Sequence, residues 1–337
     1  MASRQAKWLC NDTKKKVLIS SSLAPAPIIL FVYNRPWHTR QTVEALQKCE
    51  QASRSDLYIF ADGPKENASE EVQQKIAEVR QYIHTIDGFK SIHIQESPAN
   101  KGLANSVIQG VSDVINRHGK VIVVEDDIVA HPFFLRFMNE ALERYENTKQ
   151  IFAISATMER FRVPSNYKKD VFLTYRFGSW GWATWTDRWN SVDWAIDNYP
   201  LIKHPTSNSI KQFCKGGDDL WPMLKAQKNS KIDSWAIRMG YYMSLQKRFC
   251  LRSIHSFVNN IGMDNSGTHC GESLVNLLPL YDEKNYDICF PEKISVKTSI
   301  TENIQSVFRQ EKERISAFKW VKRRIKRILI NLHLWKA

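Results

Sequence analysis

Short apolar runs alternate with amphipathic stretches through the first third of the chain. Residues 28–33, Ile-Ile-Leu-Phe-Val-Tyr, are continuously apolar, the pattern of a strand buried on both faces. Asn34-Arg35-Pro36 ends that run. Asn caps helices and Pro suits a first helical turn, so a helix is predicted over 37–48. Leu57-Tyr58-Ile59-Phe60 repeats the strand pattern, stops at Asp62-Gly63-Pro64, and leads into a polar helix predicted over 69–85. Residues 91–95 read as a weaker third strand. Leu103, Val107, Val111, Val114 and Ile115 then share one helical face, and Val121–Val124 is a fourth apolar strand. Alternation of this kind predicts an α/β domain built on an open, mostly parallel sheet with flanking helices. Ligands of such sheets bind beyond the carboxyl ends of the strands.

Each strand is followed by polar residues: Asn34-Arg35, Asp62-Gly63, Asn100-Lys101-Gly102 and Glu125-Asp126-Asp127. The last group is the most informative. Three adjacent carboxylates repel one another and resist desolvation, and a divalent cation relieves both costs. Mg²⁺ takes oxygen ligands, often one or two carboxylates plus substrate phosphates, and Mn²⁺ suits the same donors. Standing alone, such a triplet reads as a solvated acidic turn, Asp62 as a turn residue, and Asn100-Lys101-Gly102 as a helix lead-in. Their convergence on one sheet edge points instead to a phosphate-bearing ligand and a metal.

The net charge is +13, which calls for an anionic partner. Residues 317–337 carry seven Lys or Arg and no acid, about half of the excess. Val321, Ile325, Ile328, Leu329 and Leu332 form an apolar stripe there, with the basic residues largely off it. A basic amphipathic helix of this kind suits an anionic membrane surface. A packing helix and a nucleic-acid arm are the rival readings, but no RNA-binding or zinc-finger signature occurs, so no nucleic-acid partner is expected. The six cysteines form no Cys-x-x-Cys pair, in keeping with a reducing compartment. Residues 1–16 are polar and basic with no apolar core behind them, so no signal peptide is expected. The expected location is cytoplasmic, peripheral on the inner face of a membrane.

Several segments, in order, resemble the GT-A glycosyltransferases, among them the inverting N-acetylglucosaminyltransferase that initiates complex N-glycans and its bacterial sugar-transferase relatives. They are PIILFVYNRP (27–36), LYIFADGP (57–64), NKGLANS (100–106), VIVVEDDIVAHP (121–132), GSWGWATW (178–185), IDSW (232–235) and GTH (267–269). The resemblance implies a GT-A fold over 26–300, with a nucleotide-binding half (26–130) and an acceptor-side half (131–300). A leader (1–25) precedes it and the basic C-terminal helix (301–337) follows.

It also implies site roles. Asn34, Arg35, Asp62 and Asn100 would hold the nucleoside and diphosphate of the donor. Glu125-Asp126-Asp127 would stand for the family's D-x-D motif, with Asp127 on Mn²⁺ or Mg²⁺, Asp126 on the ribose and Glu125 facing the donor sugar. Gly178, Trp180, Gly181 and Trp182 would form a substrate loop, Trp180 and Trp182 stacking on sugar rings. At least two of Trp180, Trp182, Trp185 and Trp189 are nonetheless expected in the core. Asp233 would be the catalytic base, with Asp219 as its rival and a helix cap as its alternative role. Ile232 stands where the eukaryotic relative has an aromatic, so donor-sugar contacts differ there. His269 would help bind the metal; zinc binding by His255, His269 and Cys270 lacks standard spacing.

The expected function is metal-dependent, inverting transfer of a sugar, hexose or N-acetylhexosamine, from a nucleotide-diphosphate donor, UDP-linked by the resemblance. The acceptor is a hydroxyl on a glycan or a lipid-linked glycan. The alternatives are a non-catalytic, membrane-active GT-A-like protein and a nucleotidyltransferase, which also uses an acidic metal site.

Overall fold

The computed structural model describes residues 24–158, 161, 163–196, 208–264, 280–281 and 286–309. The first half runs β1 (Ile28–Val32), α1 (Pro36–Gln47), β2 (Asp56–Ala61), α2 (Glu70–Ile83), β3 (Ser91–Glu96), α3 (Leu103–His118) and β4 (Lys120–Glu125). These are the predicted elements, with ends shifted by a residue or two. Then follow β5 (Ile128–Ala130), α4 (Phe134–Tyr145), β6 (Ile151–Ser155), β7 (Val171–Thr174), β8 (Trp182–Trp185) and the short α5 (Thr186–Trp189). The described chain continues with α6 (Asn208–Phe213), α7 (Leu220–Lys228), α8 (Trp235–Leu245), β9 (Phe249–Ser253) and β10 (Val258–Asn260). Residues 298–309 are helical.

Eight strands form one sheet in the order β3-β2-β1-β4-β8-β6-β9-β7. The pairs β3–β2, β2–β1, β1–β4 and β6–β9 are parallel; β4–β8, β8–β6 and β7–β9 are antiparallel. The molecule is thus α/β with a mostly parallel sheet. The antiparallel half did not show in the strand pattern of the first 125 residues, because it is built by later segments.

Alternation within β1 explains the two layers. Ile28, Leu30 and Val32 pack with Val43 and Leu46 of α1, Val79 and Ile83 of α2, and Phe134, Phe137 and Leu142 of α4. Ile29 and Phe31 point to the other face, against Val107, Val111 and Val114 of α3 and Trp235 and Met239 of α8. Side chains of a strand alternate between faces, so a run that is apolar at every position needs a layer on each side.

Register decides which ends meet. β8 runs against β4, pairing Trp182 with Val123, so the chain enters β8 at the edge where β4 ends. Ser155 pairs with Trp182, and Arg252 with Ser155, so β6 and β9 also end there. A separate antiparallel ribbon, β5 with β10, pairs Ile128 with Asn260 and carries residues 261–262 back over the end of β4.

The helical residues 298–309 cross the expected boundary at 300. Ile300, Ile304 and Phe308 pack with Met158, Phe161 and Phe172, so this stretch belongs to the body. Residues 1–23 and 310–337, which include all but the last two residues of the leader and the whole basic segment 317–337, lie outside the described residues. Among the described residues, no helix is long and apolar enough to cross a membrane.

Candidate active site

β1 and β4 are neighbours, with Phe31 opposite Glu125, so Arg35 and the acidic triplet emerge side by side. The Arg35 guanidinium pairs with Asp126 through Nη2 and lies 3.0 Å from Asp127 Oδ2 through Nη1. Asp126 and Asp127 are buried, at 4 % and 5 % exposure. Three carboxylates thus face one guanidinium. Burial first, then the charges of Asp127 and Asp126, push Glu125 up to about 8, against the lowering influence of Arg35. Burial pushes Asp126 up to about 6, although Arg35 pulls it down. The cluster is short of positive charge.

The backbone of this corner is tied from two sides. Thr42 Oγ1 of α1 donates to the Asp126 carbonyl at 2.8 Å, and Ile261 N donates to the Asp127 carbonyl at 2.9 Å. Gly262 lies directly against the Asp127 carboxylate and Arg35, and a Cβ there would collide with both. His38 Nε2 of α1 meets Asp264 at 3.1 Å. Sequence reading missed Gly262, His38 and Asp264. Nothing in the local pattern marks them, because they reach the site through the β5–β10 pairing and the buried face of α1.

Asp62 is engaged by the turn after β2 and by the lead-in to α3. Its Oδ1 accepts from the backbone N–H of Gly63 and Lys101, both at 2.9 Å. Its Oδ2 accepts from Asn100 Nδ2 at 3.0 Å and Gly102 N at 3.2 Å. A carboxylate offers about four acceptor sites, so Asp62 is occupied in ordering the lead-in to α3. Asn100 also donates to the Gly63 carbonyl at 3.0 Å. Asp62 and Asn100 therefore shape the end of β2 together. Asn34 is half-buried between β1 and Arg35.

The loop before β8 separates into two parts. Trp182 is fully buried, with ring centroids 5.0 Å from Trp235, 5.5 Å from Phe177 and 5.7 Å from Trp189. The expectation that it stacks on a sugar is corrected: as the first residue of a central strand it points into the layer between the sheet and α8. Trp185 and Trp189 are also core. Trp180 is half-buried and packs against the core layer on the other face of the sheet from Trp182. Gly181, at φ +61°, makes the reversal that sends Trp180 and Trp182 to different environments, with Val258 and Phe134 closing the space a side chain would need. Gly178 is buried against Arg252 and Ser155.

Trp235 against Trp182 brings the start of α8 to the same edge. Ser234, not Asp233, is the N-cap, its hydroxyl accepting from Ile237 N. Asp233 precedes it, is 56 % exposed and pairs with Arg238, one turn along. Its rival Asp219 is held by Arg176 through two hydrogen bonds of 2.9 Å, a bidentate pair that ties the start of α7 to the loop after β7. Asp219 therefore has a structural partner that accounts for it. His269 and Cys270 lie outside the described residues.

Among the described residues, no group of three or more His, Cys, Asp or Glu side chains is placed to hold a metal by itself. The acidic corner fits a cation of a different kind. Mg²⁺ and Mn²⁺ accept one or two protein carboxylates and complete their shell with phosphate and water. The surplus negative charge at Glu125, Asp126 and Asp127 supplies the attraction for it.

No protein-family profile and no curated protein matches the chain. Likenesses to solved structures exist. A mannosyltransferase from Pyrobaculum calidifontis, in complex with GDP-Man and Mn²⁺, aligns over 49 % of this chain and 48 % of its own, at 12 % identity and TM-score 0.33. A UDP-glucose pyrophosphorylase complexed with UDP-glucose aligns over 68 % of this chain and 90 % of its own, at 12 % identity and TM-score 0.34. S. aureus TarS aligns over 69 % of this chain and 36 % of its own, at 11 % identity and TM-score 0.35. This chain thus spans about half of the mannosyltransferase and about a third of TarS.

Proposed function

We propose that the protein is a GT-A glycosyltransferase that moves a sugar, with inversion, from a nucleotide-diphosphate donor to an acceptor hydroxyl. The carrying observation is the acidic corner at the ends of β1 and β4, where Arg35, Asp126 and Asp127 meet at the ligand-binding edge of an α/β sheet. The Asp233 carboxylate, exposed just ahead of α8, is the candidate base.

Asp127, helped by Asp126 or Glu125, would hold Mn²⁺ or Mg²⁺. When bound, that ion neutralises the charge that develops on the leaving diphosphate. Arg35, which balances Asp126 and Asp127, would also offer its charge to the donor phosphates. The Asp62–Asn100 network holds the α3 lead-in in place beside the acidic corner's sheet edge. Asp233 takes the acceptor proton. A carboxylate is a far weaker base than the alkoxide it helps to form, so the proton leaves as the new C–O bond grows, and position matters more than pKa. If Asp233 is the only base and no nucleophile lies beneath the sugar, the configuration inverts, as in single-displacement glycoside chemistry. Trp180 covers an apolar sugar face.

The basic stripe at 317–337 supports peripheral attachment to the inner face of an anionic membrane, where the acceptor is a membrane-borne glycan. Salt-sensitive co-sedimentation of the full chain with anionic vesicles tests that part; no sedimentation at low salt would remove it.

UDP binding by calorimetry, with and without Mn²⁺, on wild type and Asp127→Ala tests the donor site. Binding is expected only with metal and only in wild type. Absence of binding to UDP and to GDP in the presence of Mn²⁺ would overturn the donor site.

A further inference from the structure

Among the described residues, the large hydrophobic side chains left exposed are Trp37 and Met223, and Trp37 is the more open of the two, at 58 %. Folding gains little from an indole left in water. Its place, however, is specific. Arg35 reaches into the acidic corner, Pro36 opens α1, and Trp37 is the next residue. Its neighbour His38 is buried and meets Asp264 at 3.1 Å. One turn on, Thr42 holds the Asp126 carbonyl. The Trp37 indole stands edge-on to the His38 imidazole, with centroids 4.9 Å apart and planes at 87°. That contact orients the indole and leaves more than half of the residue open. An aromatic plate thus stands one ring beyond the His38–Asp264 pair that borders the acidic corner.

Strand order says which part of a donor would reach it. β4, which carries the acidic triplet, lies between β1 and β8. On one side α1 follows β1. On the other, Trp182 of β8 packs on Trp235 at the start of α8, two residues after Asp233. A nucleotide sugar is a linear chain of base, ribose, diphosphate and sugar. With the diphosphate at the triplet and the sugar turned towards Asp233, the nucleoside runs to the β1 side, where Trp37 stands. Asp62 and Asn100, at the end of the next strand, are already engaged with the chain itself. A stacking face needs no hydrogen-bond partners.

We propose that Trp37 is the stacking face for the nucleobase of the donor. The proposal rests on the glycosyl-transfer reading for the diphosphate at the acidic corner, and on the exposed indole and the strand order for the base. Every base has a π-face, so the stack adds affinity for UDP and GDP alike and leaves the choice between them to other groups.

The test is calorimetry of the full chain with Mn²⁺, on wild type, Trp37→Ala and Trp37→Phe, with UDP, GDP and inorganic pyrophosphate as titrants. Stacking predicts that Trp37→Ala weakens UDP and GDP by about tenfold or more, leaves pyrophosphate within about twofold, and that Trp37→Phe recovers most of the loss. The side chain is exposed, so the three proteins should share one unfolding temperature. A Trp37→Ala protein that binds UDP as tightly as wild type would overturn the stack. So would one that loses UDP and pyrophosphate in the same proportion, because the indole would then act on the diphosphate end. Failure of the donor reading looks different: the wild type itself then binds neither nucleotide with Mn²⁺, and the stack falls with it.

Discussion

Arg35 and Asp127, 92 positions apart, are held 3.0 Å apart by the adjacency of β1 and β4, with Asp126 on the same guanidinium. This pair occupies the acidic corner with an internal cation. Breaking such a buried pair from one side leaves uncompensated charge, at a cost of roughly 3–5 kcal/mol.

Arg35→Ala is therefore expected to lower the unfolding temperature clearly in metal-free buffer at pH 8, and millimolar Mn²⁺ is expected to restore much of the loss. Thermal melts with EDTA and with Mn²⁺ check this. An Arg35→Ala melt that matches wild type in EDTA would show that the three carboxylates do not depend on Arg35.

The triplet also sets a pH dependence. Glu125 is raised from its ordinary 4.5 to about 8. A carboxyl with a raised folded-state pKa stabilises fully below its unfolded pKa, and that contribution is lost as pH rises from about 4.5 towards 8. The metal-free wild type should lose on the order of a few kcal/mol over this window, and Glu125→Gln should lose less. Urea midpoints at pH 5.5 and pH 8 for both proteins, in EDTA, make the comparison; parallel pH slopes would count against a partly buried Glu125 repelled by its neighbours.

Trp182 and Trp180, two residues apart, should behave oppositely. Trp182→Ala empties a site among three aromatic rings and should cost about 3–5 kcal/mol. Trp180→Ala should cost less in stability and act mainly on the KM for donor or acceptor. Chemical denaturation of both variants decides it, and equal destabilisation would remove Trp180 from the ligand side.

For Asp233 and Asp219 the contrast is between activity and fold. Asp233→Asn should leave UDP affinity unchanged and lower kcat by about 10²–10⁴. Asp219→Asn breaks the two bonds to Arg176 and should act through stability. Should Asp219→Asn abolish turnover with an unchanged melt while Asp233→Asn remains active, the base would have to be reassigned.

The chain pattern alone determined the parallel half of the sheet and the polar residues at its edge. The reason is local: β1 and residues 121–124 of β4 are continuously apolar, α3 carries its stripe at helical spacing, and Asn34-Arg35, Asp62 and Glu125–Asp127 each follow a strand run within two residues. Side-chain alternation makes that information readable within a few residues. Tertiary structure alone decided the rest. Nothing near Trp182 distinguishes it from Trp180; the antiparallel pairing of β8 with β4 and β6 turns one inward and leaves the other half-buried. Nothing near Asp62 shows that three of its four donors come from residues about 40 positions away, and nothing near Gly262 shows that it lies on Asp127. These relationships come from strand order and register, which join distant segments through backbone pairing that every residue type but proline supports equally. The chemistry of the edge is written locally, and the partners of each group on it are set by the sheet.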